Sequence, residues 1–243
     1  MEPTAYLDFL RADLDAIGAT PADALDQSIA ACPGWTVAEL LGHHEGVLRF
    51  ATAQLRAEPG SEIVPFDPPA EDVDRITAFA RAADALYEEL LVVDPTEHRP
   101  NWAGEDGSAF WFRRMAQEAA VHRWDAQAAH TDPTPIDAAL AIDGVDEFAD
   151  VFLPHAKRRG ITGDGETVHL HATDGGLDDG VGEWMFTFTP EGVDVERTHG
   201  KGDMAVRGAA SDLLLFVWNR RPIAVETFGD LDARTWWPSK VRI

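Results

Sequence analysis

Apolar residues recur at the spacing of an α-helix through the first two thirds of the chain. Clusters of proline and glycine separate these periodic segments and predict the loops between them. Thr36 precedes Glu39 by three residues, and this capping box predicts that a helix begins at Val37. Helices are therefore expected at about residues 6–17, 37–55, 71–91, 108–130 and 137–159.

The pattern changes after Gly160, where apolar and polar residues alternate as they do in half-buried strands. A further helix is predicted from Leu213 to Arg220. Strands are expected at residues 167–172, 183–188, 192–195, 204–207 and 225–228. The chain is thus predicted to be an α+β protein, with a helical bundle over residues 1–158 and a small α/β domain over residues 159–243.

The composition narrows the class of protein. Of the 243 residues 45% are apolar, which is enough for a packed core and excludes a disordered chain. The formal net charge of −23 argues against binding to nucleic acid or to anionic lipid. No apolar run is long enough to span a membrane, and the N-terminus lacks the basic start of a signal peptide. We therefore expect a cytoplasmic protein whose one cysteine, Cys32, has a structural role.

Two predicted helices carry residues that suit a metal ion. Glu118 and His122 are four residues apart and share one helix face, where they could bind a metal or form a plain surface pair. His43 falls on the apolar stripe of its helix and should point into the bundle, whereas His44, about 100° further round, should point elsewhere. A metal would satisfy three such buried groups, and His, Glu and His leave a coordination position open, as in catalytic zinc sites.

Other candidates carry weaker patterns. His169 and His171 are two residues apart on a predicted strand, so they share one face of the sheet. Without a third ligand they are expected to be surface residues. Four aromatic residues near the start of the fourth helix are expected to pack in a core rather than to line a ligand pocket. They are Trp102, Phe110, Trp111 and Phe112.

Three segments together resemble a known family. Residues 32–43, with the sequence CPGWTVAELLGH, resemble the start of the metal-binding helix of mycothiol-dependent maleylpyruvate isomerases. Residues 118–125, EAAVHRWD, resemble the second metal motif of that family, and residues 206–222 resemble its sterol-carrier-like C-terminal domain. The resemblance covers most of the chain. One departure is His44, where relatives often carry an apolar residue, and it is either a surface substitution or an extra polar group near the metal.

The resemblance implies a fold and a site. The bundle would be a four-helix bundle of the DinB-like type, with zinc, or another divalent metal, bound by His43, Glu118 and His122. An arginine of the C-terminal domain, either Arg220 or Arg221, would lie near the substrate. Mycothiol would be the cosubstrate, so the chain would not need a reactive cysteine of its own.

The resemblance also implies a reaction class. The protein would be an isomerase or an S-transferase that acts on a small electrophile with a carboxylate, such as maleylpyruvate. Two alternatives stay open: a protein that binds a hydrophobic ligand without catalysis, and a regulatory protein that retains the metal site. A monomer or a weak dimer is expected.

Overall fold

The computed structural model describes residues 1–68, 74–104, 107–178, 180–221 and 223–242. The chain divides into two compact units, Met1–Thr134 and Pro135–Ile243. The division falls earlier than the boundary at residue 158 that the sequence pattern suggests, because the helix that follows Pro135 packs within the second unit. No helix among the described residues is long and apolar enough to cross a membrane.

The first unit is a bundle of four long helices. Helix α1 packs against α4, and α2 packs against α3. The predicted capping box opens α2, where the Thr36 hydroxyl accepts from the Glu39 amide and the Glu39 carboxylate accepts from the Thr36 amide. Asp74 caps α3 in a similar way, and the earlier start expected for that helix lies outside the described residues. The helices are α1 (Ala5–Gly18), α2 (Val37–Arg56), α3 (Arg75–Val92) and α4 (Ala109–Ala128).

Aromatic side chains at the start of α4 belong to the core of the bundle. Phe110, Trp111 and Phe112 are buried, and the Trp111 indole donates a hydrogen bond to the carbonyl of Pro100 over 3.0 Å. Trp102 is half-buried and stands edge-on against Phe110. The expected packing is confirmed for the three aromatic residues of α4.

The second unit begins with helix α5 (Ala138–Glu147), which continues as a π-turn at Phe148–Phe152 and short 3₁₀ turns as far as Arg159. The expected helix of residues 137–159 is therefore present, but it changes from α-helix to π-helix and then to 3₁₀-helix along its length. Helix α5 packs against α6 (Ala210–Val217), and the Ile136 amide donates a hydrogen bond to the Ser211 hydroxyl. These contacts tie α5 to the second unit.

A five-stranded sheet forms the centre of the second unit, in the order β3-β2-β1-β4-β5. Strands β1 and β4 are parallel, and the other neighbouring pairs are antiparallel. One face of the sheet is apolar and buried, with side chains such as Val168, Leu170, Trp184 and Phe186. The strands are β1 (Thr167–Ala172), β2 (Glu183–Thr189), β3 (Gly192–Glu196), β4 (Met204–Gly208) and β5 (Val225–Gly229).

Two short helices pack on this sheet, α6 and α7 (Ala233–Lys240). Helix α6 begins and ends three residues earlier than predicted. Asn219 adopts a left-handed backbone conformation (φ 61°), which ends the helix before Arg220. Helix α7 was not predicted, since it is short and contains Pro238. The α+β class expected from the sequence is confirmed.

Candidate metal centre

Helices α2 and α4 bring the three predicted ligands together. Oε1 of Glu118 lies 3.1 Å from Nε2 of His122 and 3.6 Å from Nε2 of His43. The rings of the two histidines stand edge to face, with centroids 5.4 Å apart. One nitrogen or oxygen atom from each residue lies within 4.8 Å of the other two, so small side-chain movements would place all three around one ion.

The three side chains differ in how far they reach solvent. His122 is 10% exposed and Glu118 is 18% exposed, whereas His43 is 36% exposed. The indole of Trp35 lies beside the His43 ring, at a centroid distance of 5.0 Å. The centre is therefore closed by the bundle on the side of α4 and open to solvent at His43, which would allow a small molecule to reach an ion held there.

Two further residues of α4 hold the ligands in position. Arg114, one turn before Glu118, donates a hydrogen bond from Nη2 to Oε2 of Glu118 over 2.9 Å. The opposite oxygen, Oε1, stays directed at the histidines. On the other side, Nδ1 of His122 donates to Oδ2 of Asp125 over 3.1 Å, and this carboxylate is fully buried. Such a partner fixes the ring so that the lone pair of Nε2 faces the ion.

The electrostatics match this arrangement. Burial favours the neutral form of Glu118, but His122, His43 and Arg114 hold the pKa of its carboxyl well below the ordinary value. Burial also opposes protonation of His122, yet the charge of Glu118 and the hydrogen bonds to Asp125 and Glu118 raise the pKa of this imidazole to about 9. In the metal-free protein a proton on His122 thus holds the place that a cation would take.

The structure corrects the position expected for His44. This side chain is completely buried in the bundle, with its ring 5.4 Å from that of Phe79 and 5.5 Å from that of His122. Neither ring nitrogen has a hydrogen-bond partner among the described residues. Burial lowers the pKa of His44 to about 3, so the imidazole is neutral and packs like an aromatic side chain beside the centre. His44 is not a surface residue.

The donor set fits a transition-metal ion. Two imidazole nitrogens and one carboxylate oxygen are ligands that zinc accepts, and three protein ligands leave a fourth position for a water or a substrate. The same donors also suit nickel, iron or manganese. The buried Asp125 behind His122 is the kind of supporting carboxylate that accompanies metal-bound histidines.

The two candidate arginines lie in the second unit, just after helix α6. Nη1 of Arg220 donates to the carbonyl of Trp218 over 2.9 Å. Nη1 of Arg221 donates to the carbonyl of Arg220, and its guanidinium lies 5.2 Å from the ring centre of Phe216. Burial and the nearby Arg234 lower the pKa of Arg221. Their roles toward a substrate stay predictions.

Comparison with protein-family models gives a match to each unit. Residues 7–127 match the model of the mycothiol maleylpyruvate isomerase N-terminal domain, and residues 139–235 match the model of the C-terminal domain of that family. The chain belongs to the mycothiol-dependent maleylpyruvate isomerase family, which is a family of enzymes. The family suspected from the sequence motifs is thereby confirmed.

Solved structures of the family share the fold. The chain is similar to a crystal structure of mycothiol-dependent maleylpyruvate isomerase, with a TM-score of 0.58 and 13% identity over 96% of each chain. It is also similar to a histidine-to-alanine mutant of that enzyme, with a TM-score of 0.64 and 11% identity over 96% of each chain. No curated protein sequence matches the chain.

Two supporting residues were not singled out from the sequence alone. Arg114 lies four residues before Glu118, and Asp125 lies three residues after His122, so the helical repeat places each of them next to a ligand. Their spacing was the available signal. It is weak by itself, because charged pairs at this spacing are common on helix surfaces.

Proposed function

We propose that the protein is a metal-dependent enzyme that uses a low-molecular-weight thiol, with zinc as the metal and mycothiol as the thiol. The convergence of His43, Glu118 and His122 on one point carries this proposal, and the membership of the family supports it. A bound zinc ion would lower the pKa of a coordinating thiol so far that it loses its proton at neutral pH. We place the activity in the cytoplasm, where such thiols stay reduced.

The proposed substrate is a small electrophile with a carboxylate, such as maleylpyruvate. As an isomerase, the enzyme would let the thiolate of the cosubstrate add to the conjugated double bond. Rotation about the resulting single bond and elimination of the thiolate would give the trans product and regenerate the thiol. As an S-transferase, the enzyme would release the adduct with the carbon–sulfur bond intact.

Residues of the chain have distinct parts in this scheme. Arg114 keeps Glu118 ionised and oriented, and Asp125 holds the His122 ring with Nε2 toward the metal position. Arg220 or Arg221 would neutralise the carboxylate of the substrate. A positive group of this kind matters in a chain with a formal net charge of −23, which would otherwise repel an anionic substrate.

The test combines metal content with turnover. Untagged protein, purified without chelator, should contain about one zinc at this centre and should convert maleylpyruvate only when mycothiol is added. His122→Ala should lose this zinc and the activity. His130→Ala is the matched control, because His130 lies just beyond the same helix and binds only the carbonyl of Ala126 in the contacts described for it. It should keep both properties.

The outcomes separate the alternatives. Mass spectrometry of the product distinguishes an isomerase, which returns the thiol, from a transferase, which leaves it attached. Arg220→Ala and Arg221→Ala are compared in the same assay. Replacing the arginine that binds the substrate should raise KM more than it changes kcat. A chain that binds zinc but shows no thiol-dependent turnover would instead support the non-catalytic binding or regulatory protein.

A further inference from the structure

A second group of metal-ligating side chains lies in the other unit, on the sheet. It occupies the face opposite the buried apolar side chains of β1 and β2. One potential ligand atom from each member lies within 4.8 Å of those of the other three. We call this group the sheet cluster. It consists of His169, His171, Glu183 and His199.

Strand pairing places three members of the sheet cluster. His171 on β1 is directly opposite Glu183 on the antiparallel strand β2, and His169 is two residues away on the same face. Oε2 of Glu183 accepts from Nε2 of His169 over 3.0 Å, and Oε1 lies 3.4 Å from Nδ1 of His171. The register of two paired strands therefore fixes these side chains before any ion binds.

The fourth member comes from the segment between β3 and β4, residues 197–203. Nδ1 of His199 donates to Oε2 of Glu183 over 2.5 Å. The neighbouring glycines allow the segment to lie this close to the sheet. A Cβ on Gly200 would stand 2.9 Å from Cε of Met185, and a Cβ on Gly202 would stand 2.7 Å from the carbonyl oxygen of Met204.

The burial of the cluster is graded. The His169 and Glu183 side chains are 6% and 14% exposed, His171 is 33% exposed, and His199 is 73% exposed. A hollow of about 330 Å³ opens beside His199, so solvent reaches the cluster from that side. The arrangement is a base of three candidate ligands on the sheet, with one largely exposed candidate ligand at the entrance.

We propose that the sheet cluster is a second metal site, which takes zinc or another late first-row divalent cation. Three imidazoles and one carboxylate make up a complete tetrahedral set, so the site would be closed and structural rather than catalytic. The ion would bind the 197–203 segment to the sheet through His199. This proposal is independent of the proposed function, because it concerns different residues in a different unit.

The test uses the untagged full chain and zinc alone, at concentrations set by a chelator buffer. His122→Ala removes a ligand of the candidate metal centre in the bundle, so that this centre no longer contributes bound zinc. This variant should still bind one zinc. His199→Ala added to it should weaken that binding, because only three ligands remain. His155→Ala is the matched control, since His155 is another solvent-accessible histidine of the same unit whose described partner is Arg158. Added to His122→Ala, it should leave the second zinc in place.

A second measurement tests the proposal without relying on the correct folding of the His122→Ala variant. His199→Ala alone changes a mostly exposed side chain, and it should weaken the binding of one of the two zinc ions of the otherwise unchanged protein. Zinc should also slow amide exchange in residues 197–203 of the His122→Ala variant, but not when His199 is also alanine. Zinc binding that does not change with His199→Ala, or exchange that zinc does not slow, would overturn the proposal.

Discussion

Asp125→Ala tests how far the metal affinity depends on the residue behind His122. The Asp125 carboxylate has no exposed surface and accepts from Nδ1 of His122 over 3.1 Å. Losing such a supporting carboxylate weakens metal binding by about 10- to 100-fold, which corresponds to about 1.4–2.7 kcal/mol. We expect this loss because the His122 ring would no longer be held with Nε2 toward the ion.

Proton competition makes the effect depend on pH. The charge of Glu118 and the hydrogen bonds to Asp125 and Glu118 raise the pKa of His122 to about 9 in the metal-free protein, so at neutral pH a metal ion has to displace a proton. Removing Asp125 lowers this pKa and weakens the competition. Near pH 7 the two effects oppose each other, whereas at about pH 9.5 the proton is mostly lost and nearly the full decrease in metal affinity should be seen.

The assay is a zinc competition titration against a chelator of known affinity, at about pH 7 and about pH 9.5. Asp13→Asn is the matched control, because Asp13 is also a buried carboxylate held by α4, through Nε of Arg123 at 2.9 Å. It should lower the free energy of unfolding without changing the affinity for zinc. An Asp125→Ala protein with unchanged affinity at the higher pH would refute the role assigned to Asp125.

Three further variants test the surrounding structure. Thr36→Ala should lower the free energy of unfolding by about 1 kcal/mol in urea titrations, because the N-cap of α2 is lost. His44 stays neutral in the fold, with a pKa of about 3, while the unfolded chain takes up its proton below about pH 6.5, so acid destabilises the native state. Between about pH 7 and pH 5 this should cost about 2 kcal/mol, and His44→Phe should remove that part of the pH dependence of metal-free protein. Cys32→Ser should keep thiol-dependent turnover, because the nucleophile arrives with the cosubstrate.

The positions of the candidate ligands in the bundle could be predicted in part, because two of them are close in the sequence. Glu118 and His122 lie one turn apart, so the sequence alone places them on the same face of one helix. The capping box at Thr36 likewise fixed the start of the helix that carries His43. Only the meeting of the two helices required knowledge of the tertiary structure, and the family motifs supplied it.

Other features depend on contacts that the sequence pattern does not contain. The stripe through Leu40 and Val47 left His44 outside it. Leu41, His44 and Leu48 lie on a second line at helical spacing that is fully buried. Phe79 on α3 and His122 on α4 contact the His44 ring there. Helical periodicity describes one helix against one neighbour, whereas the middle of a bundle meets several. The boundary between the units shifted for the same reason, because α5 packs on α6, which is distant in sequence.

The sheet cluster shows the corresponding limit for strands. His169 and His171 were expected to be surface residues because no third ligand could be seen nearby in the sequence. Glu183 becomes a neighbour of these histidines only through the register of β1 and β2. His199 does so only because the segment between β3 and β4 lies against the sheet. The number of ligands then separates the two centres chemically. Three ligands at the bundle would leave a position for a thiol, whereas four on the sheet would leave none, so thiol chemistry should be lost with His122 and not with His199.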